Sequence, residues 1–281
     1  MYWRLTPRIK VNMTDFAVRQ IKRNISFRLI VDDQKDGRMN MAVDEALLEQ
    51  AGNEDAAPVI RLYGFKPATL SVGRFQRTEG IIDFSTLRAV GADFVRRPSG
   101  GHAVLHDCEL TYSIALGRHI LGTLSKRQVY RFIVPILIKG LARLGVLDAN
   151  HAEGTGSNGN DPDCFASSGE FEIGSRAGSK LIGSAQIVSR SGVLQHGSIP
   201  LSGANRKIYQ FLVGNRAENQ STSVSEEIDR TVDFSEAISE FAGAIRNAVD
   251  TRDDTVSSGE KFRASKLLAT RYNRDEWNLK Y

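Results

Sequence analysis

The chain has 281 residues, of which 41% are hydrophobic and 25% are charged. These proportions are those of an ordinary globular protein, and the length suits one large domain or two small ones. No run of 18 apolar residues is present, so we expect no membrane association. The two cysteines, Cys108 and Cys164, form no disulfide framework and no CxxC motif, which predicts free thiols and a cytoplasmic protein.

Residues 1–24 hold the excess positive charge of the chain. They contain six basic residues and one acidic residue, whereas the rest of the chain has 31 basic and 32 acidic residues. Because that body has almost no net charge, we expect no nucleic-acid partner. The segment also lacks the apolar region of about 7–15 residues that marks a secretory signal. We therefore predict a disordered leader at 1–24 and a single folded domain at 25–281.

In the first half of the chain, apolar residues recur at helical spacing from Asn40, which we predict to be an N-cap. Two strand-like runs follow on either side of Lys66-Pro67. The predicted elements are, in order, a helix at 40–51, strands at 59–65 and 69–75, a helix at 83–90, and strands at 93–97 and 102–116.

The second half begins with a long amphipathic helix, and the stretch after it is rich in Gly, Asn and Asp and predicts a loop. The predicted elements are, in order, a helix at 126–145, a loop at 151–163, strands at 170–175, 180–189 and 192–199, and helices at 205–214, 234–250 and 260–274. Runs of strands followed by helices indicate an α+β fold.

The segment Val95–Ser113, VRRPSGGHAVLHDCELTYS, combines charge with a flexible turn. The adjacent glycines, Gly100 and Gly101, let a backbone approach a ligand closely. Arg96 and Arg97 supply fixed positive charge for a phosphate or a carboxylate. We expect Cys108, within the same segment, to be a small buried hydrophobic residue.

The segment resembles the signature loop of the biotin/lipoate protein ligase and octanoyltransferase superfamily, where this loop binds an acyl group or an acyl-adenylate. Two other stretches resemble the same superfamily: GSKLIGSAQIVSRSGVLQHGSIPL at 178–201, and MNMAVDEALLEQ at 39–50 with VIRLYGFKPATLSVGRFQ at 59–76. The resemblance implies that 39–50 is the opening helix and that 59–76 holds the first strand pair. The resemblance covers roughly residues 27–281. It implies one catalytic domain with a mixed, mostly antiparallel sheet flanked by helices.

The resemblance also implies which residues bind the acyl substrate. These residues are Arg97, Ser99, Gly100, Gly101, His102, His106, Gly183, Ser184 and Ala185. His102 departs from the pattern, since ligases have a third glycine there, and the contact made by this position stays open. We expect Val104, Leu105 and Ile182 to line an apolar slot for the acyl chain. We expect His106 to be structural or a wall of that slot, and His196 to be a hydrogen-bonded strand residue.

Cys164, in DPDCFASSGEFEI, resembles the acyl-accepting cysteine of octanoyltransferases that modify the glycine cleavage H protein. HDCELTYS and the closing LLATRYNRDEWN are similar to the same branch. The resemblance offers Lys180 as a cation beside Cys164. A thiolate is both a nucleophile and a leaving group, and a neighbouring cation raises the thiolate fraction.

The resemblance implies transfer of octanoyl from octanoyl-acyl carrier protein to Cys164, and then to a lysine of a lipoyl domain such as that of H protein. No cofactor, ATP or metal is expected. Backbone N–H groups near Gly100–Gly101 or at Cys164 are the candidate oxyanion donors.

Three other functions stay open. The first is an ATP-dependent lipoate ligase, with Lys180 at the acyl-adenylate, Arg97 at the phosphate and Cys164 incidental. The second is an amidotransferase that moves octanoyl between lipoyl domains with the same Cys164 and Lys180. The third is a non-catalytic protein that binds nucleic acid through the leader, against which the near-neutral body argues.

Overall fold

The computed structural model describes residues 25–121, 126–152, 163–166, 172–214 and 221–281. The predicted leader and residues 153–162 of the predicted loop lie outside these ranges. Within the described part of the chain, no helix is both long and apolar enough to cross a membrane.

The strands are β1 (Phe27–Lys35), β2 (Val59–Phe65), β3 (Thr69–Val72), β4 (Asp93–Arg96), β5 (Val104–His106), β6 (Glu109–Gly117), β7 (Asn150–Ala152), β8 (Glu172–Gly174), β9 (Lys180–Val188), β10 (Gly192–Pro200) and β11 (Thr251–Asp254). The α-helices are α1 (Gly37–Gln50), α2 (Phe84–Ala89), α3 (Arg118–Leu121), α4 (Lys126–Leu144), α5 (Val224–Glu227), α6 (Phe234–Ala248), α7 (Ser258–Leu267) and α8 (Asp275–Asn278). Two 3₁₀ helices, Cys164–Ala166 and Gly203–Phe211, and a π-helical turn, Leu268–Tyr272, complete the described elements.

A large mixed sheet organises the fold. Its strand order is β11-β1-β2-β6-β10-β9-β8-β7, and a smaller sheet has the order β4-β3-β5. β1 pairs in parallel with β11 and β2, while the other neighbours in the large sheet are antiparallel. This arrangement confirms the predicted α+β class with a mixed, mostly antiparallel sheet.

The two faces of the large sheet carry different side chains. On β6, Leu110, Tyr112 and Ile114 enter the largest hydrophobic cluster, which includes residues of α4 and α6. The alternate residues of β6, which include Thr111 and Ser113, point to the other face. There α1 packs against the sheet, and α7 packs against α1. The α1 face is therefore the more polar one, and it holds the candidate site.

The small sheet corrects one prediction. Residues 59–65 and 69–75 were expected to form a strand pair, but β2 and β3 belong to different sheets. Both edges of β2 are occupied, by β1 and by β6, so β3 has to pair elsewhere. It pairs with β4 and β5 and thereby carries Ser71 to residues 98–103. We call these residues the glycine loop, because they include Gly100 and Gly101.

Four local predictions are wrong. The N-cap of α1 is Asp36, whose side chain accepts from the Met39 amide, whereas Asn40 is buried and donates to backbone carbonyls. The predicted strand 102–116 is broken because β5 and β6 lie in different sheets. Cys108 occupies the turn between them, with a φ of 49° and an exposed side chain, so it is not a buried hydrophobic residue. The predicted helix 260–274 changes to π-helical geometry at Leu268.

Candidate active site

A cavity lies on the α1 face of the large sheet and opens beside Cys164. It is lined by Met41, Tyr63, Phe65, Arg97, Val104, His106, Thr111, Cys164, Gly183, Ser184, Ala185, His196, Gly197 and Ser198. Strand register explains its floor: Thr111, Ser198 and Gly183 lie opposite one another on β6, β10 and β9. Directly opposite residues share a face, and here they are small, so the sheet leaves room for a ligand.

Cys164 begins a short 3₁₀ helix that is fastened to the end of the glycine loop. Its amide donates to the carbonyl of Ala103 (2.9 Å). The carboxylate of Asp163 accepts from the Phe165 amide (2.9 Å) and from the hydroxyl of Tyr209 (2.9 Å). The thiol is therefore held at one fixed edge of the cavity.

Lys180, the first residue of β9, reaches Cys164 from the sheet. Its Nζ lies 3.7 Å from the Cys164 Sγ, and it also donates to the Cys164 carbonyl. The ammonium forms an ion pair with Glu172, and only 2% of the Lys180 side chain is exposed. Burial acts to lower the pKa of Lys180, but the negative charges of a Cys164 thiolate and of Glu172 outweigh it, and the pKa is raised. Lys180 therefore stays an ammonium at neutral pH.

The sequence analysis missed Glu172, the carboxylate partner of Lys180. Nothing in the sequence separates Glu172 from Glu170, because two positions of that spacing share one face of a strand.

Arg97 is buried, and its guanidinium binds backbone carbonyls and one hydroxyl. Its two terminal nitrogens donate to the carbonyl and hydroxyl of Ser71 (3.2 and 3.0 Å) and to the carbonyls of Gly100 (3.0 Å) and His102 (2.6 Å). Burial lowers the pKa of Arg97 to about 10, against the opposing effect of a Cys164 thiolate, so the group is still a cation at pH 7. Arg97 fixes the shape of the glycine loop and places positive charge in the cavity wall.

His106 links Arg97 to a buried carboxylate. The Ser71 hydroxyl accepts from Arg97, so it can donate its own hydrogen to His106 Nε2 (2.8 Å). In this network Nε2 is an acceptor and Nδ1 carries the ring N–H, which donates to Glu109 (2.7 Å). The imidazole also stacks on Phe65, with ring centroids 4.0 Å apart. His106 is thus one wall of the cavity and a link in a hydrogen-bonded chain.

His196 anchors the other side of the glycine loop. Its Nε2 lies 2.5 Å from the hydroxyl of Ser99, and its Nδ1 lies 3.4 Å from Asp44. Asp44 is fully buried and also accepts from Arg61 (2.9 Å) and Tyr63 (2.8 Å). Burial lowers the pKa of His196 even though Asp44 opposes it, so the imidazole is neutral at pH 7. The signal for Asp44 in the sequence is a lone acid on the apolar face of α1.

Other predicted site residues take different positions. Gly101 has a φ of 93°, and its carbonyl lies 1.8 Å from the point where a Cβ on Gly73 would stand. The half-buried His102 offers its carbonyl to Arg97. The Ser184 hydroxyl is hydrogen-bonded to Tyr112 (2.8 Å), which packs on the α4 face. This hydroxyl therefore points away from the cavity.

The predicted apolar slot is wrong at two of its three residues. Val104 lines the cavity, but Leu105 and Ile182 are buried in other hydrophobic clusters. The reason is strand alternation: Leu105 follows Val104 and Ile182 precedes Gly183, so each points away from the cavity. Met41 and Phe65, from α1 and β2, supply apolar lining that was not predicted.

Arg96 is not a ligand-binding residue of this cavity. Its buried guanidinium donates to the carbonyls of Gly73 (2.8 Å), Gln76 (2.8 Å), Trp277 (3.1 Å) and Asn278 (3.1 Å). Successive residues of a strand point to opposite sides, so Arg96 and Arg97 cannot serve the same pocket. Arg96 instead joins the residues that follow β3 to the last helix, α8.

Several known proteins have sequences related to this chain. The family described as lipoyl protein ligase A/B catalytic domain matches residues 36–246. Octanoyltransferase LipM of Symbiobacterium thermophilum is 33% identical over 276 residues, covering 91% of this chain and 98% of that protein. Octanoyltransferase LipM of Kyrpidia tusciae is 36% identical, with coverages of 91% and 99%. For the Bacillus subtilis protein of the same name, the identity is 32% and the coverages are 91% and 98%.

Solved structures share the fold at low sequence identity. Lipoate-protein ligase A bound with ATP superposes with a TM-score of 0.74 at 22% identity, covering 91% of this chain and 99% of that one. A bipartite lipoate protein ligase of Thermoplasma acidophilum, studied with its E2 lipoyl domain, gives 0.69 at 20%, with coverages of 91% and 97%. The fold, the matched family and the relatives all agree with the resemblance noted in the sequence, and the chain belongs to the lipoyl protein ligase A/B catalytic-domain family.

Proposed function

We propose that this protein transfers an octanoyl group from acyl carrier protein, through a thioester on Cys164, to a lysine of a lipoyl domain. Its relatives at 32–36% identity are named octanoyltransferases, and it is an acyltransferase of protein lipoylation. The observation that carries the cysteine mechanism is the 3.7 Å contact between Lys180 Nζ and Cys164 Sγ at the edge of the cavity.

In the first half-reaction, the Cys164 thiolate attacks the carbonyl carbon of the donor thioester. A carbon–sulfur bond to Cys164 forms, the bond to the carrier sulfur breaks, and the carrier leaves as a thiolate that takes a proton from solvent. An unperturbed thiol is only a few per cent ionised at pH 7, so a permanent ammonium beside it favours the reactive form. The Cys164 amide already binds Ala103, which leaves the amides of Gly100 and Gly101 as the expected oxyanion donors.

In the second half-reaction, a neutral lysine amine of the lipoyl domain attacks the Cys164 thioester. An amide bond forms, the Cys164 thiolate is expelled, and the extra proton of the amine passes to solvent. Lys180 stabilises the departing thiolate as it stabilised the attacking one. Because its own pKa is raised, Lys180 acts as a fixed cation and not as a base.

The ATP-dependent ligase is the second candidate. It needs a cation free to bind phosphate, and the guanidinium donors of Arg97 are bonded to Ser71 and the glycine loop. The amidotransferase would use the same Cys164 and Lys180 and differs only in its donor. The acceptor proposal draws on the lipoate protein ligase that was studied with its E2 lipoyl domain. We place the reaction in the cytoplasm, where thiols stay reduced.

The donor distinguishes these candidates. Modification of an apo lipoyl domain would be measured with octanoyl-acyl carrier protein, with octanoyl-lipoyl domain, and with free octanoate plus ATP and magnesium. The proposal expects transfer from the carrier protein in the presence of a chelator and apyrase. Modification only with ATP, magnesium and free acid would make the protein a ligase, and transfer only from another lipoyl domain would make it an amidotransferase.

A further inference from the structure

Two segments of the chain contain no acidic residue. Residues 110–147 carry six basic residues and residues 173–214 carry five, with no Asp or Glu in either. The near-zero net charge outside the leader therefore hides an uneven distribution, in which all the acids lie elsewhere in the chain. A near-zero net charge of the whole body therefore does not exclude a charged partner for a single face.

The fold joins these two segments along β9. Arg118 donates to the carbonyls of Ser189 (3.1 Å) and Arg190 (3.0 Å), at the turn between β9 and β10. The side chain of Gln186, in β9, donates to the carbonyl of Lys126 (3.2 Å), the first residue of α4. The turn therefore lies at the end of β9, and the start of α4 lies against Gln186, two residues before that end.

Four of the exposed cations of this region are Arg118, Lys126, Arg131 and Arg190, which together we call the basic surface. None of the four forms an ion pair with an acid within the ranges that the structure describes. Val188, 42% exposed, stands among them on β9. An exposed apolar side chain in the same region as cations that pair with no acid of the described ranges is a surface that suits an acidic protein partner.

The basic surface begins near the thiol and runs away from it. A Cβ on Gly183 would lie 3.3 Å from Lys180 Cε, so the Lys180 side chain extends along β9 as far as Gly183. At about 3.3 Å per residue, Gln186 lies about 10 Å beyond Gly183 and Val188 about 17 Å beyond it. Arg190 lies in the turn that follows Val188. On α4, the Tyr130 hydroxyl donates to the Ser184 carbonyl (3.3 Å), which places neighbouring Arg131 at the near end.

We propose that the basic surface docks the acidic carrier protein that delivers the octanoyl thioester. This inference rests on the proposed function and names the binding surface of its donor. The donor carries its acyl group on a long prosthetic arm. The folded part of the donor therefore binds at a distance from Cys164, and the arm spans that distance. An acceptor lysine has a side chain only about 6 Å long, so the acceptor has to bind at the mouth of the cavity itself.

The test compares the triple variant Lys126→Ala, Arg131→Ala, Arg190→Ala with the wild type. The matched control removes three exposed cations elsewhere: Arg88→Ala, Arg252→Ala, Lys261→Ala. Three single-turnover rates are measured for each protein: acylation of Cys164 by octanoyl-carrier protein, acylation by octanoyl-pantetheine, and transfer from the preformed octanoyl-enzyme to a lipoyl domain. Octanoyl-pantetheine supplies the arm without a protein surface, so its rate also reports whether the variant is folded.

Acylation by the carrier protein is expected to fall at least about tenfold in the triple variant, with a weaker dependence on salt. The other two rates, and all three rates of the control, are expected to stay within about twofold. An unchanged carrier rate overturns the inference, and a loss confined to transfer assigns the surface to the lipoyl domain instead. If the wild type accepts octanoyl from pantetheine but not from the carrier, the docking proposal fails and the thioester chemistry stands. If it accepts from neither, the proposed function fails.

Discussion

Lys180 Nζ lies 3.7 Å from Cys164 Sγ, although the two residues come from different elements, a sheet strand and a short 3₁₀ helix. The strand is held in the large sheet, and the helix is bonded to the end of the glycine loop. The contact therefore couples the two parts of the structure that form the cavity.

Lys180→Ala is expected to slow both alkylation of Cys164 and acyl transfer. Two unit charges about 4 Å apart interact by up to about 4 kcal/mol near a protein surface, so a loss of about 10- to 1,000-fold is expected in acylation. Alkylation by iodoacetamide at pH 7 reports the thiolate directly.

Lys180→Arg should restore only part of the rate, because the planar guanidinium of arginine differs in shape from the compact ammonium of lysine. Lys207→Ala, an exposed cation paired with Asp107, is the control. Equal alkylation and turnover in Lys180→Ala would refute the role.

The glycine loop offers a paired test of backbone packing. A Cβ on Gly73 would stand 1.8 Å from the Gly101 carbonyl, whereas a Cβ on Gly100 meets nothing within 4 Å. Gly73→Ala is therefore expected to lower the free energy of unfolding by about 1–3 kcal/mol and to reduce acylation more than about tenfold. Gly100→Ala should change both only slightly, since it keeps its amide. Urea denaturation and acylation rates check the pair, and similar behaviour of the two variants would contradict the packing described.

His196 makes stability depend on pH in a definite direction. Burial lowers its pKa in the folded state, so below an unfolded pKa of about 6.5 only the unfolded chain gains the proton. The folded state therefore loses stability as the pH falls, by up to about 1 kcal/mol between pH 6.5 and 5.5. His196→Gln should be less stable at pH 7.5 but lose less between pH 7.5 and 5.5. The exposed His119→Gln serves as the control. A drop of equal size in His196→Gln and the wild type would show that another group titrates.

The leader at 1–24 remains a sequence-based prediction. Its six basic residues precede the first strand at Phe27 and the matched family region. Deletion of residues 1–24 is expected to leave acyl transfer within about twofold and to reduce any salt-sensitive binding to DNA. A folded truncated protein that cannot modify a lipoyl domain would show instead that the leader contributes to the acceptor site.

Hydrophobic periodicity predicted the helices and strands, but it did not predict which strands pair with each other. The sequence pattern of 59–65 and 69–75 is the same whether the strands pair or separate, and only the occupied edges of β2 decide it. Cys108 looked like a strand residue because its neighbours are strand-like on both sides. Its position between two sheets depends on tertiary contacts that a local pattern does not contain.

The site was recognised by its motifs and misread where side-chain direction mattered. Cys164 and Lys180 were predicted as site residues because their surroundings resemble a family. Arg96, Leu105 and Ile182 were misplaced because a motif names residues without saying which way each one points. Ser71 and Glu172 were missed since a single hydroxyl or acid in a strand has no spacing that distinguishes it, and Asp44 was missed although it is a lone acid on the apolar face of α1. The basic surface was missed because net charge was summed over the whole body.

The thioester on Cys164 is the central claim, and intact-mass spectrometry tests it directly. The wild type is incubated with octanoyl-acyl carrier protein without ATP, freed of donor, and then mixed with an apo lipoyl domain. The account predicts one octanoyl adduct on Cys164 that hydroxylamine removes, that moves to the lipoyl domain in one turnover, and that is absent from Cys164→Ser but present in Cys108→Ser. Transfer by Cys164→Ser at the wild-type rate, or an adduct that the lipoyl domain does not discharge, would contradict it.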